Sequence, residues 1–217
     1  MAYEAVLFDM NGVLVDDEHL QEAAFREVLV ARGYPLSPED YTKYFIGRTD
    51  KSGFENYFNE HTGRQDVAHL ISQKGDAYQK LAAAGVKGYE GVLDFVAALH
   101  AKNIKLAVVT SSMGYEATAV LKGLGLTDYF EAVVAAEDVK NGKPDPEGYL
   151  KGASALSVRP EKCVVIEDAP SGLKAAKSAR MYAIAVLNTH AMGELQEADI
   201  AVRQLSANLA ESLLQKN

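Results

Sequence analysis

The chain has 217 residues, 48% of them hydrophobic, and 22 basic against 30 acidic residues give it a net charge of -8. That size and apolar content allow one large domain or two modest ones with a full core, held without disulfides or a structural metal. The acidic balance disfavours nonspecific nucleic-acid binding, the lone Cys163 excludes a disulfide framework or thiolate cluster, and no apolar run approaches the roughly 18 residues of a membrane span.

In chain order, five short β-rich runs read as strands: YEAVLF (3–8), IKLAVVT (104–110), EAVVAA (131–136), CVVIED (163–168) and MYAIAVL (181–187). They are apolar nearly throughout rather than alternating, which suits a parallel sheet covered on both faces. Cys163 falls in such a strand and reads as an inert core thiol. Between the strands, GVLDFVAALHAK, MGYEATAVLKGLG, PEGYLKGASALS and PSGLKAAKSAR carry helical spacing, and Gly125 and Gly172 read as punctuation near helix ends. RQLSANLAESLLQK reads as a closing helix. Alternating β and α elements predict an α/β class, a Rossmann-like open parallel sheet.

Residues 16–87 break that alternation with helix after helix, broken at Gly33, Pro35, Gly47, Gly63 and Gly85. The expected organisation is an α/β core of residues 1–15 and 88–217 with an inserted all-helical cap of residues 16–87. An insert directly after the first strand overhangs that strand's C-terminal end, where open α/β sheets bind ligands. It is placed to act as a lid that excludes water.

Four stretches fall at or after predicted strand ends: FDMNG, VVTSS, NGKPDP and VIEDAPSG. Singly, each has an ordinary structural explanation as a turn, a helix N-cap or a loop. Gathered by one sheet, they supply a carboxylate, hydroxyls at a helix start, a lysine and an acidic pair. Carboxylates and carbonyl oxygens suit Mg²⁺, helix N–H groups and hydroxyls suit phosphate oxygens, and a lysine offsets the charge facing an attacking carboxylate.

Taken in order along the whole chain, these motifs resemble the haloacid dehalogenase superfamily, in the branch containing β-phosphoglucomutase and phosphoglycolate-type phosphatases. The resemblance implies a Mg²⁺-dependent phosphatase of a small, sugar-phosphate-like metabolite. Asp9 would be the nucleophile and a metal ligand, with the Asn11 carbonyl, Asp168 and Glu167, directly or through water, completing the metal site. Thr110 and Ser111 would bind the phosphoryl group, and Lys143 would bridge it to Asp9. In the cap, IGRTDKSG resembles the specificity loop, so Arg48, Thr49 and Lys51 would face substrate, as would Lys74 in KGDAY. A cytoplasmic protein, monomeric or weakly dimeric, with no nucleic-acid or membrane partner, is expected. A phosphomutase, a dehalogenase and a phospho-ligand binding module are the alternatives.

The departure from the family pattern is Asn11, where an aspartate usually shuttles the proton. An amide cannot deliver or accept a proton at a useful pKa, and losing general acid–base help costs roughly 10²–10⁴ in rate. Restoring a carboxylate by Asn11→Asp is therefore expected to raise turnover. Asp16, Asp17, Glu18 and His19 lie nearby, but Asp16 and Asp17 read first as acids at a helix start that cap it and complement its dipole. His61, His69, His100 and His190 show no metal-ligand spacing and read as structural or exposed.

Overall fold

The computed structural model describes residues 3–46, 48–61 and 65–215, so the expected breaks at Gly47 and Gly63 lie outside the described residues. Six parallel strands form one sheet: β1 (Ala5–Phe8), β2 (Lys105–Val109), β3 (Ala132–Val134), β4 (Cys163–Glu167), β5 (Tyr182–Val186) and β6 (Ile200–Val202), in the spatial order β3-β2-β1-β4-β5-β6. β1 pairs on one side with β2 and on the other with β4, so Phe8 stands level with both Val108 and Ile166. The chain builds outward from β1 in one direction, then crosses to β4 and builds in the other. This is the switch point at which an open α/β sheet leaves a crevice at its strand ends.

The apolar strands bury both faces, as their composition requires. Val6 and Phe8, with Leu106, Val108, Val164 and Ile166, pack on a core to which α5 (Val92–His100), α6 (Gly114–Gly123) and α9 (Ala207–Gln215) contribute. The alternate residues Ala5 and Leu7, with Ala107, Val109, Cys163 and Val165, face the core of α7 (Glu147–Ala155) and α8 (Pro170–Ser178). Cys163 is fully buried, and burial pushes its thiol up to about 12, consistent with an inert core group. The sequence reading missed β6, whose three residues IAV are too short to register as a strand.

The described residues between β1 and α5 form four helices: α1 (Glu18–Val30), α2 (Pro38–Tyr44), α3 (Asp50–Glu60) and α4 (Val67–Ala83). Their starts follow local chemistry. Ser37 accepts the Asp40 N–H at 3.0 Å with Pro38 in the first turn, Thr49 accepts the Ser52 N–H at 3.3 Å, and Asp66 accepts the His69 N–H at 3.1 Å. An aromatic cluster that includes Phe25, Tyr41, Phe45, Phe54, Tyr57 and Phe58 forms their own core. Phe25 lies 5.2 Å from Phe54 and 6.1 Å from Tyr41 by ring centroids, inside the range where such pairs add about 0.5–1.5 kcal/mol beyond buried area. Entry and exit run side by side: the Asp16 N–H donates to the Lys87 carbonyl at 2.9 Å, and Val15 bridges Gly88. No helix among the described residues is long and apolar enough to cross a membrane.

Candidate active site

Asp9 immediately follows β1, and its backbone N–H donates to the Ile166 carbonyl of β4 at 3.0 Å, which ties the two strand ends together. The chain then folds back tightly, with the Leu14 N–H on the Met10 carbonyl at 2.8 Å and the Gly12 N–H on the Val15 carbonyl at 3.1 Å. Gly12 stands at φ +78°, and a Cβ there would lie 2.0 Å from Asp168 Oδ2. Both facts require glycine, and they let the acid at the end of β4 approach the loop after β1.

Asp9, Glu167 and Asp168 are all buried, and one carboxylate oxygen from each falls in a group within 4.8 Å. Lys143 reaches across from the loop before α7, where it hydrogen-bonds Asp9 and donates to Glu167 Oε1 at 2.7 Å. Glu167 is saturated. Its Oε1 also accepts the Tyr149 hydroxyl at 2.8 Å, and its Oε2 accepts the N–H groups of Asp168 and Ala169 at 3.0 and 3.1 Å. Gly172, read from sequence as punctuation, instead lies inside the first turn of α8, where a Cβ would fall 1.6 Å from Glu167 Oε1. Burial, then the charge of Glu167, raise Asp9 above the carboxylate range, with Lys143 opposing. Burial and the neighbouring charges of Glu167 and Asp9 raise Asp168 further, to about 8. Lys143 stays protonated: burial opposes its charge, but Asp9 and Glu167 outweigh it. Three hard oxygen ligands sharing too much negative charge fit a small divalent cation.

Thr110 follows β2 and is buried, its hydroxyl accepting the Ser112 N–H at 3.0 Å, while Ser111 is exposed beside it. Two clefts meet at this point. The smaller, about 160 Å³, is lined by Asp9, Asn11, Arg48, Ser111, Lys143 and Asp168. The larger, about 560 Å³, shares Ser111 and Lys143 but is walled mainly by apolar residues such as Ile71, Val109, Val134 and Val139.

The expected cap residues separate. Arg48 is exposed on the smaller cleft. Thr49 and Lys51 line the larger one; the Thr49 hydroxyl caps α3, and Lys51 is exposed 4.0 Å from Glu55. Lys74 lines neither cleft. It is 1% exposed, packs over the Phe25 ring, and pairs with Glu116 at 2.9 Å and Asp50 at 3.1 Å.

Several site residues escaped the sequence reading. Ser112, Asn188 and Thr189 all bond to the strand-tip loops after β1 and β4: Ser112 to Asn11 at 2.8 Å, Asn188 to the Gly12 carbonyl at 2.7 Å, and Thr189 to Asp168. His190, read as structural or exposed, lines the smaller cleft. Asn188 to His190 follow β5, so the strand-end rule that singled out Asp9 and Asp168 applied to them as well. Asp17 departs from its capping assignment. It stands at the N-cap of α1 but makes no side-chain cap bond, and instead accepts from Asn11, Gln21 and Tyr78.

A parallel sheet thus carries acids and a lysine at its switch point, under a helical cap inserted after β1. The family model for haloacid dehalogenase-like hydrolases matches residues 6–186, and the chain belongs to that family. It is 37% identical over 184 residues to a phosphorylated carbohydrates phosphatase of Thermotoga maritima, covering 83% of this chain and 85% of the relative. It is 33% identical over 208 residues to validoxylamine A 7'-phosphate phosphatase of Streptomyces hygroscopicus subsp. limoneus, covering 94% of this chain and 95% of the relative. Among solved structures, CbbY from Rhodobacter sphaeroides in complex with phosphate superposes with a TM-score of 0.85 at 27% identity, over 93% of this chain and 94% of that one.

Proposed function

We propose that this chain is a Mg²⁺-dependent phosphatase of a small phosphorylated metabolite of the sugar-phosphate kind, acting through a phosphorylated Asp9. The observation that carries the reading is the strand-tip cluster, in which Lys143 spans Asp9 and Glu167 beside Asp168. The two phosphatase relatives support the substrate class.

An oxygen of Asp9 bonds to phosphorus while the ester P–O bond breaks and its electron pair leaves on the substrate oxygen. Water then attacks the phosphorylated Asp9, the bond from phosphorus to Asp9 breaks, and inorganic phosphate departs with the carboxylate regenerated. Lys143 offsets the charge between Asp9 and the incoming phosphoryl group, and Ser111 and Thr110 hold its oxygens from the turn after β2. Asp9, Asp168 and the Asn11 carbonyl would hold Mg²⁺, with Glu167, whose oxygens four donors already occupy, adding its negative charge beside them and holding Lys143 in place. Bound there, the ion would neutralise charge on the transferring group. Arg48 is placed for the distal part of the substrate, with Thr49 and Lys51 along the larger cleft. Lys74 braces the cap rather than touching substrate.

The leaving oxygen departs beside an amide. Without proton delivery, weakly basic leaving groups are favoured, so acetyl phosphate and nitrophenyl phosphate are expected to turn over faster than sugar phosphates. A substrate panel with and without Mg²⁺, combined with acid-quench mass analysis for phosphorylated Asp9, tests the reading. Asp9→Asn should lower turnover by on the order of 10⁴-fold or more and abolish the phosphorylated peptide. Equal rates on both substrate classes would mean that another group supplies the proton. Absence of turnover and of phosphorylated protein on every substrate would overturn the assignment.

A further inference from the structure

Asn11 is gripped by two partners of opposite polarity. The Ser112 hydroxyl donates to its Oδ1 at 2.8 Å, and its Nδ2 donates to both oxygens of Asp17, at 2.9 and 2.8 Å. Asp17 is itself 1% exposed and also accepts the Tyr78 hydroxyl at 2.5 Å and Gln21 Nε2 at 3.2 Å. Among the described residues no lysine or arginine forms an ion pair with it, so this buried carboxylate is held by neutral donors, and Asn11 supplies two of its four bonds.

We propose that Asp17 is a positioning residue that makes an amide the fitting group at position 11. Asn11 and Asp17 form a matched pair, and Asn11 is not a lesion in a site otherwise built for an acid. A carboxylate at 11 would present acceptor to acceptor and remove two donors from Asp17. It would also set like charges about 3 Å apart in a buried place, where a lost partner costs far more than at the surface. The expectation that Asn11→Asp by itself restores a proton shuttle therefore changes. The exchange that keeps a donor between the two positions, and leaves Tyr78, Gln21 and Ser112 each with an acceptor, is the swap. With Asn11→Asp and Asp17→Asn together, Ser112 and the new amide both donate to the carboxylate at 11, while Tyr78 and Gln21 donate to the amide oxygen at 17.

The test is a double-mutant cycle of wild type, Asn11→Asp, Asp17→Asn and the swap, with Tm measured after metal removal by EDTA and kcat and KM measured on a sugar phosphate with Mg²⁺. Mass analysis of the Asn11-Gly12 peptide must exclude deamidation, which would create the single variant unasked. Asn11→Asp should lower Tm by on the order of 5–10 °C, Asp17→Asn by less, and the swap should return to within about 3 °C of wild type. Additive losses overturn the proposal, as does an Asn11→Asp protein that melts with wild type. If Asn11→Asp does not fold, a folded swap supports the proposal, and a swap that also fails to fold overturns it. The kinetic arm rests on the phosphatase reading: the swap should raise kcat by about 10²-fold with KM little changed, and above Asn11→Asp alone. Non-additive Tm with no turnover in any of the four proteins leaves the pairing intact and sinks the phosphatase reading. Turnover with additive Tm does the reverse.

Discussion

At the strand tips Asp9 and Glu167 pair with one lysine, Lys143, with Asp168 beside them; where the cap meets the core, Glu116 and Asp50 share Lys74. Both clusters are largely buried; Asp9, Glu167 and Asp168 all line the smaller cleft, whereas in the second only Asp50 reaches a cleft, and Lys74 and Glu116 line neither. In the first, the acids outnumber the base three to one, and burial with mutual repulsion lifts Asp9 and Asp168 out of the ordinary carboxylate range. In the second, burial opposes the charge of Lys74, but Asp50 and Glu116 outweigh it and keep it protonated. Glu116 also accepts the Met113 N–H at 3.2 Å, so this cluster ties α4 and the start of α3 to the first turn of α6, just beyond Ser111 and Ser112. The contrast is between a cluster left with excess charge that a cation would relieve and one whose buried lysine, held between two acids, braces the joint.

Breaking the brace should have the largest effect on stability. Lys74→Met leaves Glu116, at 0% exposure, without its cation, and removing one partner of a buried pair costs about 3–5 kcal/mol. For a chain of this size that is a fall in Tm on the order of 10 °C. Turnover of acetyl phosphate below the new Tm should survive. A Lys74→Met protein with unchanged Tm and a large loss in kcat/KM on sugar phosphates would instead place Lys74 on the substrate, as the family resemblance implied.

These two clusters also divide what the sequence discloses from what it hides. Asp9, Lys143 and Asp168 were legible because apolar strands announce their own ends, and a parallel sheet brings those ends together wherever they lie in the chain. The four cap helices were legible from spacing and from the glycine and proline breaks between them. The pairing of Lys74 with Glu116 was not, because it joins helices 42 residues apart and depends on how the cap seats. Ser112 on Asn11 and Tyr78 on Asp17 are hidden for the same reason, spanning 101 and 61 residues. Asp17 misled because an acid at a helix start has a local explanation, and that explanation gives way when a stronger set of donors lies across the fold. Thr189 and His190 could have been found, since they follow a strand that the sequence already marked.

Relieving the excess charge is the next effect in size. Burial and neighbouring acids hold the Asp168 carboxyl at about 8, against an ordinary 3.8. A group whose folded pKa is raised stabilises the fold below its unfolded pKa, and that contribution is lost as pH rises through the folded value. The metal-free protein should therefore lose Tm as pH climbs from about 5 to 8. Mg²⁺ would compete with those protons, so its stabilising shift should grow over the same window. At a hundredfold excess over Kd it reaches about 2.7 kcal/mol, or roughly 5–10 °C. Thermal melts in EDTA and in Mg²⁺ across this range check both slopes. A Tm rise from Mg²⁺ that is flat with pH, or that persists in Asp168→Asn, would remove Asp168 from the metal site.

The smallest effect separates a structural from a substrate role at the edge of the cap. Thr49 lines the larger cleft, yet its hydroxyl is already occupied, accepting the Ser52 N–H at 3.3 Å and donating to Ser52 Oγ at 3.1 Å at the start of α3. Removing an N-cap hydroxyl costs about 0.5–2 kcal/mol, so Thr49→Ala should lower Tm by roughly 2–5 °C. Thr49→Ser keeps the capping oxygen and should melt close to wild type. Because Asp50, the residue after Thr49, pairs with Lys74, fraying this turn would also loosen the brace, and the Thr49→Ala loss should shrink when Lys74→Met is already present. KM for sugar phosphates should be the same in all three Thr49 proteins. A tenfold rise in KM for Thr49→Ala that Thr49→Ser rescues, with Tm unmoved, would instead turn that hydroxyl toward the substrate and move the specificity contact from the smaller cleft to the larger.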